Sequence, residues 1–150
     1  MPRSKRFLRL IRDARAIAGN RDVLYLGTRC PLWILRQNSL SAWSGDEYDE
    51  HVWFTRSPEF ASLFASLSMD DAMDEGLGAI FVFDRRSLRC RYRLRPFQNP
   101  LEGPRTMEER ILGRKIDDLG SHLIGVAMLG VPRAARAFQI ANRTGREGSA

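Results

Sequence analysis

Thiol and imidazole side chains are scarce in this chain: two cysteines, Cys30 and Cys90, and two histidines, His51 and His122, among 150 residues. The cysteines form no CxxC pair, and a structural zinc site needs four ligands brought close together. The sequence therefore argues against a metal centre. Two lone thiols with no signal peptide ahead of them fit a reducing cytoplasm, where each is expected to be a small buried hydrophobe. No apolar run approaches the ~20 residues that span a bilayer. The longest, Leu123 to Val131, is strand-length. A Walker A loop is missing, as is a GxGxxG following a strand, so the two commonest phosphate-cradling signatures are excluded. No internal repeat is visible.

What is present is an ordinary globular composition, 43% hydrophobic and 28% charged, which excludes wholesale disorder. Lys+Arg outnumber Asp+Glu by 24 to 18, a formal net charge of +6. That balance favours an acidic partner (a nucleic acid, a nucleotide's phosphates or an acidic protein surface) without choosing among them. The length suits one domain.

Residues 1–22 carry Arg3, Lys5, Arg6, Arg9, Arg12 and Arg15, with Phe7, Leu8, Ile11, Ala14 and Ala18 forming a helix-like apolar stripe opposite them. A transit peptide and a membrane-surface helix compete with an amphipathic helix docked on its own domain. The sequence favours the last, since transit peptides are usually Ser-rich and surface helices carry bulkier apolar residues.

Beyond it we read a strand at Val23–Leu26, a helix at Pro31–Gln37 and a short strand at Ser39–Trp43. An acidic loop over 44–50 and a strand at His51–Thr55 follow. Ser57 caps a helix with Pro58 at its first position and an apolar face of Phe60, Leu63, Phe64 and Leu67. After a loop from Asp70 to Gly78 come a strand at Ala79–Phe83, a turn at Asp84–Ser87 and an alternating strand at Leu88–Leu94. That last strand presents Arg89, Arg91 and Arg93 outward. Three prolines make Pro96–Arg105 a loop. A strand at Thr106–Leu112, a helical turn at Ile116–Leu119, a core strand at Leu123–Leu129 and a C-terminal helix over 133–142 complete the chain, with 143–150 a mobile tail. Helices grouped after the first and third strands indicate an α+β domain.

Four segments, in this order, carry a resemblance. They are Val23-Leu-Tyr-Leu-Gly-Thr-Arg29, His51-Val-Trp-Phe-Thr-Arg-Ser-Pro-Glu-Phe-Ala61, Ile80-Phe-Val-Phe-Asp84 and Met107-Glu-Glu-Arg-Ile-Leu112. The chain is similar to the ADP-ribosyltransferase-like superfamily, in particular its small bacteriophage and bacterial members, over roughly residues 23–129. The resemblance implies a split mixed or antiparallel sheet with helices outside and a cleft between two half-sheets, spanning residues 23–142. It implies NAD as a substrate, and transfer of ADP-ribose to a macromolecular acceptor, a protein or else a nucleic acid. For a phage-encoded chain the compartment implied is the host bacterial cytoplasm.

Carried over position by position, the resemblance gives the catalytic carboxylate to Glu109 or Glu108, which face opposite ways in a strand. Glu109 is favoured because Met107, Glu109 and Ile111 then share a face. Such a carboxylate would stabilise the oxocarbenium charge that develops as nicotinamide leaves. Thr55 and Ser57 would position nicotinamide, Gly27 and Thr28 would contact its amide, and Trp53 would wall the cleft. Tyr25 and Arg29 would shape the ribose and phosphate side. The family's first-strand His or Arg is replaced by Leu26, with Arg29 or His51 as the nearest substitutes. A catalytically inactive member that binds a protein or nucleic-acid partner through its basic surface is the alternative. His51 and His122 are expected to be structural. A plain RNA-binding module would need aromatics among its exposed basic residues, and the arginine run at 89–95 has Tyr92 on the wrong side.

Overall fold

The computed structural model describes residues 5–41, 51–66, 74–99, 101, 103–113 and 115–129. In chain order these form α1 (Lys5–Ala18), β1 (Val23–Thr28), α2 (Pro31–Gln37), β2 (Leu40–Ser41), β3 (His51–Thr55), α3 (Pro58–Ser66) and β4 (Ala79–Asp84). Then come α4 (Arg85–Arg91), β5 (Leu94–Asn99), β6 (Gly103–Leu112), β7 (Lys115–Ile116), a 3₁₀ turn at Leu119–Ser121 and β8 (Leu123–Met128). The acidic loop at 44–50, Trp43, Leu67, the C-terminal helix over 133–142 and the tail lie outside the described residues.

The centre of the fold is β4, an unbroken apolar run because both of its faces are covered; Ala79 through Phe83 are fully buried. β1 and β8 flank it in antiparallel register, and the whole sheet runs β5-β6-β3-β1-β4-β8. Every strand pair in the sheet is antiparallel, so the α+β expectation with an antiparallel sheet holds. β1 and β3 join through a single registered pair, Tyr25 with Thr55. On either side of that join stand three well-paired strands.

Pleat alternation gives the sheet two faces. One carries Leu24, Val52, Phe54, Phe81, Phe83 and Ile111, covered by α2, α4 and the β2–β7 ribbon through Ile34, Leu88, Leu40 and Ile116. The other carries Val23, Tyr25, Ile80, Val82 and Ala127, covered by α1 and α3. The N-terminal helix thus docks on its own sheet, with Leu10, Ile11, Ala14 and Ala18 buried. Leu8, expected in that stripe, is 54% exposed, and Leu10 takes its place; at 100° per residue, Leu8 falls at the edge of the arc.

Three sequence expectations are corrected. The first concerns α3, which turns Ala61, Ser62 and Ala65 inward and leaves Leu63 and Phe64 exposed. The reason is close approach: a Cβ at Gly27 would meet the Ala61 carbonyl oxygen at 1.8 Å, and one at Gly78 would meet that of Ala65 at 2.5 Å. Only small residues fit between backbones this near. The second is the strand read at Leu88–Leu94. It is α4 instead, because Asp84 caps a helix by accepting from the Ser87 amide at 3.1 Å. Leu88 alone is buried, and Cys90 is exposed where a buried thiol was expected, while Cys30 is half-buried. Third, the proline-rich stretch read as a loop is a hairpin, β5 into β6, with Pro96 on the edge strand where a missing N–H costs no ladder bond. A smaller change follows it: residues 115–116 pair with β2, and the helical turn lies at Leu119–Ser121.

Candidate functional site

The strand β3 ends where Thr55 and Ser57 make a tight local turn. The Thr55 hydroxyl accepts from the Ser57 amide at 2.9 Å and donates to the Thr106 carbonyl on β6. Ser57 caps α3 by accepting from the Phe60 amide at 3.1 Å. Both residues are buried. Their hydroxyls are therefore engaged in holding the strand-to-helix step.

Register places the two acids on opposite faces of the sheet. Phe54 stands opposite Glu109, and Thr55 opposite Glu108. Glu109 consequently lies on the face of Phe54 and Ile111, whereas Glu108 lies on the face of Thr55, Trp53 and Tyr25. The favoured carboxylate and the threonine step are on opposite faces of the sheet. Met107 does not join Glu109 and Ile111 on theirs: its φ is +43° and its side chain is exposed while theirs are buried. The kink also lets the Met107 carbonyl accept from the Arg56 amide at 3.0 Å.

Glu109 is the most constrained charge in the molecule's described part. Its side chain is 4% exposed, and both oxygens accept hydrogen bonds from arginine. Arg85 Nε lies 3.1 and 3.0 Å from the two oxygens and its Nη2 lies 2.9 Å from Oε1. Arg56 Nε reaches Oε2 at 2.6 Å. A third partner completes the group, since Arg85 Nη1 also donates to Asp22 at 3.2 Å. Burial pushes the Glu109 carboxyl up, but the hydrogen bonds and charges of Arg85 and Arg56 together outweigh it and hold the group below its ordinary range. The same hydrogen bond to Glu109 raises Arg85. Arg56 and Arg85 were not legible as partners of Glu109, nor Asp22 as a partner of Arg85. They come from three separate places in the chain, and no spacing in sequence links them.

The remaining candidates are placed as follows. Tyr25 is buried beneath α1 and α3, and that burial raises its phenol. Gly27 is where α3 rests on β1. The Thr28 hydroxyl accepts from the Cys30 amide at 3.1 Å. Arg29 donates from Nε to both oxygens of Asp74, at 3.1 and 2.9 Å. Glu75, next in sequence, accepts from the Leu32 and Trp33 amides and so closes the start of α2. Leu26 packs against the core. The Glu108 carboxylate is half-buried and accepts from the Thr106 hydroxyl at 2.9 Å.

Trp53 differs from these in its surroundings. Its ring meets Phe97 edge-on at 4.5 Å and His51 at 6.4 Å. The Arg110 guanidinium lies 5.8 Å from the Trp53 ring centre and 5.5 Å from that of Phe97. His122 is buried, with Nδ1 2.7 Å from the Ser87 hydroxyl. Among the described residues no helix is long and apolar enough to cross a membrane, and no three His, Cys, Asp or Glu cluster as metal ligands would.

The structure thus brings Glu108, Thr55 and Trp53 onto one face and Glu109 with Arg56 and Arg85 onto the other. The chain matches no protein-family model, no curated protein and no solved structure.

Proposed function

We propose that the chain is a binding domain of ADP-ribosyltransferase-like architecture that takes an anionic macromolecule on its basic surface, and that NAD cleavage is not its working chemistry. The observation that carries this reading is the state of Glu109. Stabilising an oxocarbenium requires carboxylate oxygens open to the substrate. Those of Glu109 are buried and already matched by two guanidinium groups. Leu26, where the family places a hydrogen-bonding side chain, supports the same reading. The single-pair join between β1 and β3 fits a sheet that divides there into two halves.

One observation favours the enzyme reading in a different form. Glu108 stands directly across from Thr55 on the face of Trp53, with its carboxylate less enclosed than that of Glu109. In that form NAD would be the substrate, Glu108 the stabilising carboxylate and a host protein the acceptor.

Two measurements on the full chain separate the readings. Calorimetric titration with millimolar NAD and transfer of labelled NAD to proteins of a bacterial lysate are both expected to give no signal. Label transfer that disappears in Glu108→Gln or Glu109→Gln would overturn the binding-domain reading and establish the enzyme.

A further inference from the structure

Fold and register put together a surface that the linear sequence does not display. On β3, β6 and β5 the residues facing away from Glu109 are His51, Trp53 and Thr55, then Leu112, Arg110 and Glu108, then Arg95 and Phe97. α1 and α3 cover this side over β1, β4 and β8, and α3 reaches only part of β3. Among the described elements none packs extensively over β5 or β6 there. Arg95 is exposed, and Trp53, Phe97 and Arg110 are half-buried.

Three features of this face point to one ligand chemistry. Arg95 and Arg110 are directly opposite each other across the β5–β6 ladder, a like-charge pair that destabilises a sheet unless something neutralises it. Among the described residues neither arginine has a carboxylate partner, and Arg110 Nε is buried without a hydrogen-bond acceptor. The Arg110 guanidinium lies instead against both the Trp53 and Phe97 rings, whose own centres are 4.5 Å apart, so cationic and aromatic groups form one cluster on this face. That is the arrangement in which sheet faces stack unpaired bases on aromatic rings and arginine planes while neighbouring cations hold the backbone. The wider charge agrees: Lys5 and Lys115 are the only lysines, so 22 of the 24 basic residues are arginine, the cation suited to planar stacking and bidentate phosphate contact.

We propose that the β5–β6–β3 face bearing Trp53, Phe97, Arg110 and Arg95 is a stacking platform for single-stranded nucleic acid. It rests on the binding-domain reading above and names the partner. Bases stack on Trp53 and Phe97, Arg110 is the planar cation beside them, and Arg95 meets a phosphate. Glu108, hydrogen-bonded by Thr106, stands directly opposite Phe97 on this face, so the positive field lies toward Arg95 and Arg110. A duplex keeps its base faces inside its own stack and offers this surface only its phosphates.

Fluorescence anisotropy of labelled oligo(dT) and oligo(U) with the full chain tests it, with a duplex of equal length and heparin as competitors. The single strands are expected to bind at least tenfold more tightly than the duplex, and the two oligomers show whether DNA or RNA is preferred. Phe97→Ala and Trp53→Ala are each expected to weaken single-strand binding by roughly 5- to 100-fold, the worth of one base–aromatic stack. Arg6→Gln on the exposed side of α1 should lower single-strand and duplex binding alike and only slightly. Phe97→Leu, which keeps the apolar contact and removes the ring, decides the matter should Trp53→Ala fail to fold. Unchanged binding in Phe97→Leu, or heparin and duplex competing as well as the single strand, overturns the proposal. The NAD experiments bear on the binding-domain reading alone and these on the platform alone, so the two can fail separately.

Discussion

Glu109 shows how a single carboxylate can be essential to a fold for reasons that resemble catalysis from a distance. A buried charge of this kind is tolerable only because Arg85 and Arg56 satisfy both of its oxygens. Removing it would leave Arg85, itself only 14% exposed, with its main partner gone. Glu109→Ala is therefore expected to cost about 3–5 kcal/mol, the usual penalty for breaking one side of a buried pair, read from chemical denaturation. Arg56 is 47% exposed, and Arg56→Ala should cost roughly 1 kcal/mol or less by the same measurement. A pH series checks the sign of the interaction. Because the folded-state carboxyl of Glu109 lies below its ordinary value of 4.5, its contribution is fully present above that pH and is lost as pH falls further, toward the folded-state value. Glu109→Gln should flatten the acid side of the stability profile; an acid limb identical to that of the parent chain would show that the pair carries no linkage. In the sequence the two acids were visible as candidates. Which of them faces where was not, because the kink at Met107 breaks the alternation used to choose.

At the scale of elements, local signals were reliable where one strand or cap explains itself, and failed where a neighbour decides. β3, from His51 to Thr55, and the Ser57 cap were read at their observed places. The inward face of α3 was not, because hydrophobicity pointed to Phe60 and Phe64 while steric room pointed to Ala61 and Ala65. That room is set by Gly27, a residue in a different element. Gly27→Ala makes the consequence measurable. A methyl group at 1.8 Å from a carbonyl oxygen forces α3 off the sheet, so the loss should be at least about 3 kcal/mol, at or above the upper end of ordinary overpacking. A thermal midpoint unchanged by the substitution would mean that α3 does not sit where its contact with β1 puts it. A comparable argument applies to α4: alternation over Leu88–Leu94 mimicked a strand, but the Asp84 cap and the end of β4 start a helix there. Arg89, Arg91, Arg93 and Arg95 are exposed as that reading had them, and what register adds is Arg110, which stands opposite Arg95 beside Trp53 and Phe97.

For the molecule as a whole, composition and apolar runs were enough for an α+β domain with a basic exterior. Which helix covers which face was beyond them, since that depends on contacts between distant segments. α1 is the clearest case. Read alone, residues 5–18 could have been a detachable basic peptide, but Leu10 and Ala14 are completely buried against β4, β8 and α3, and Arg15 pairs with Glu59 of α3. The helix is therefore expected to be part of the folding unit. Truncating a fully buried leucine costs about 2–5 kcal/mol, against a total stability of roughly 5–15 kcal/mol for a domain of ordinary size. Leu10→Ala should then give a folded but markedly weakened protein. Removing residues 1–18 uncovers Ile80, Val82 and Ala127 at once and is expected to abolish cooperative unfolding altogether, leaving an aggregation-prone chain. A truncated chain that still melts in one sharp transition near the temperature of the full chain would place α1 outside the cooperative core, and with it the packing that closes this side of the sheet next to the proposed platform.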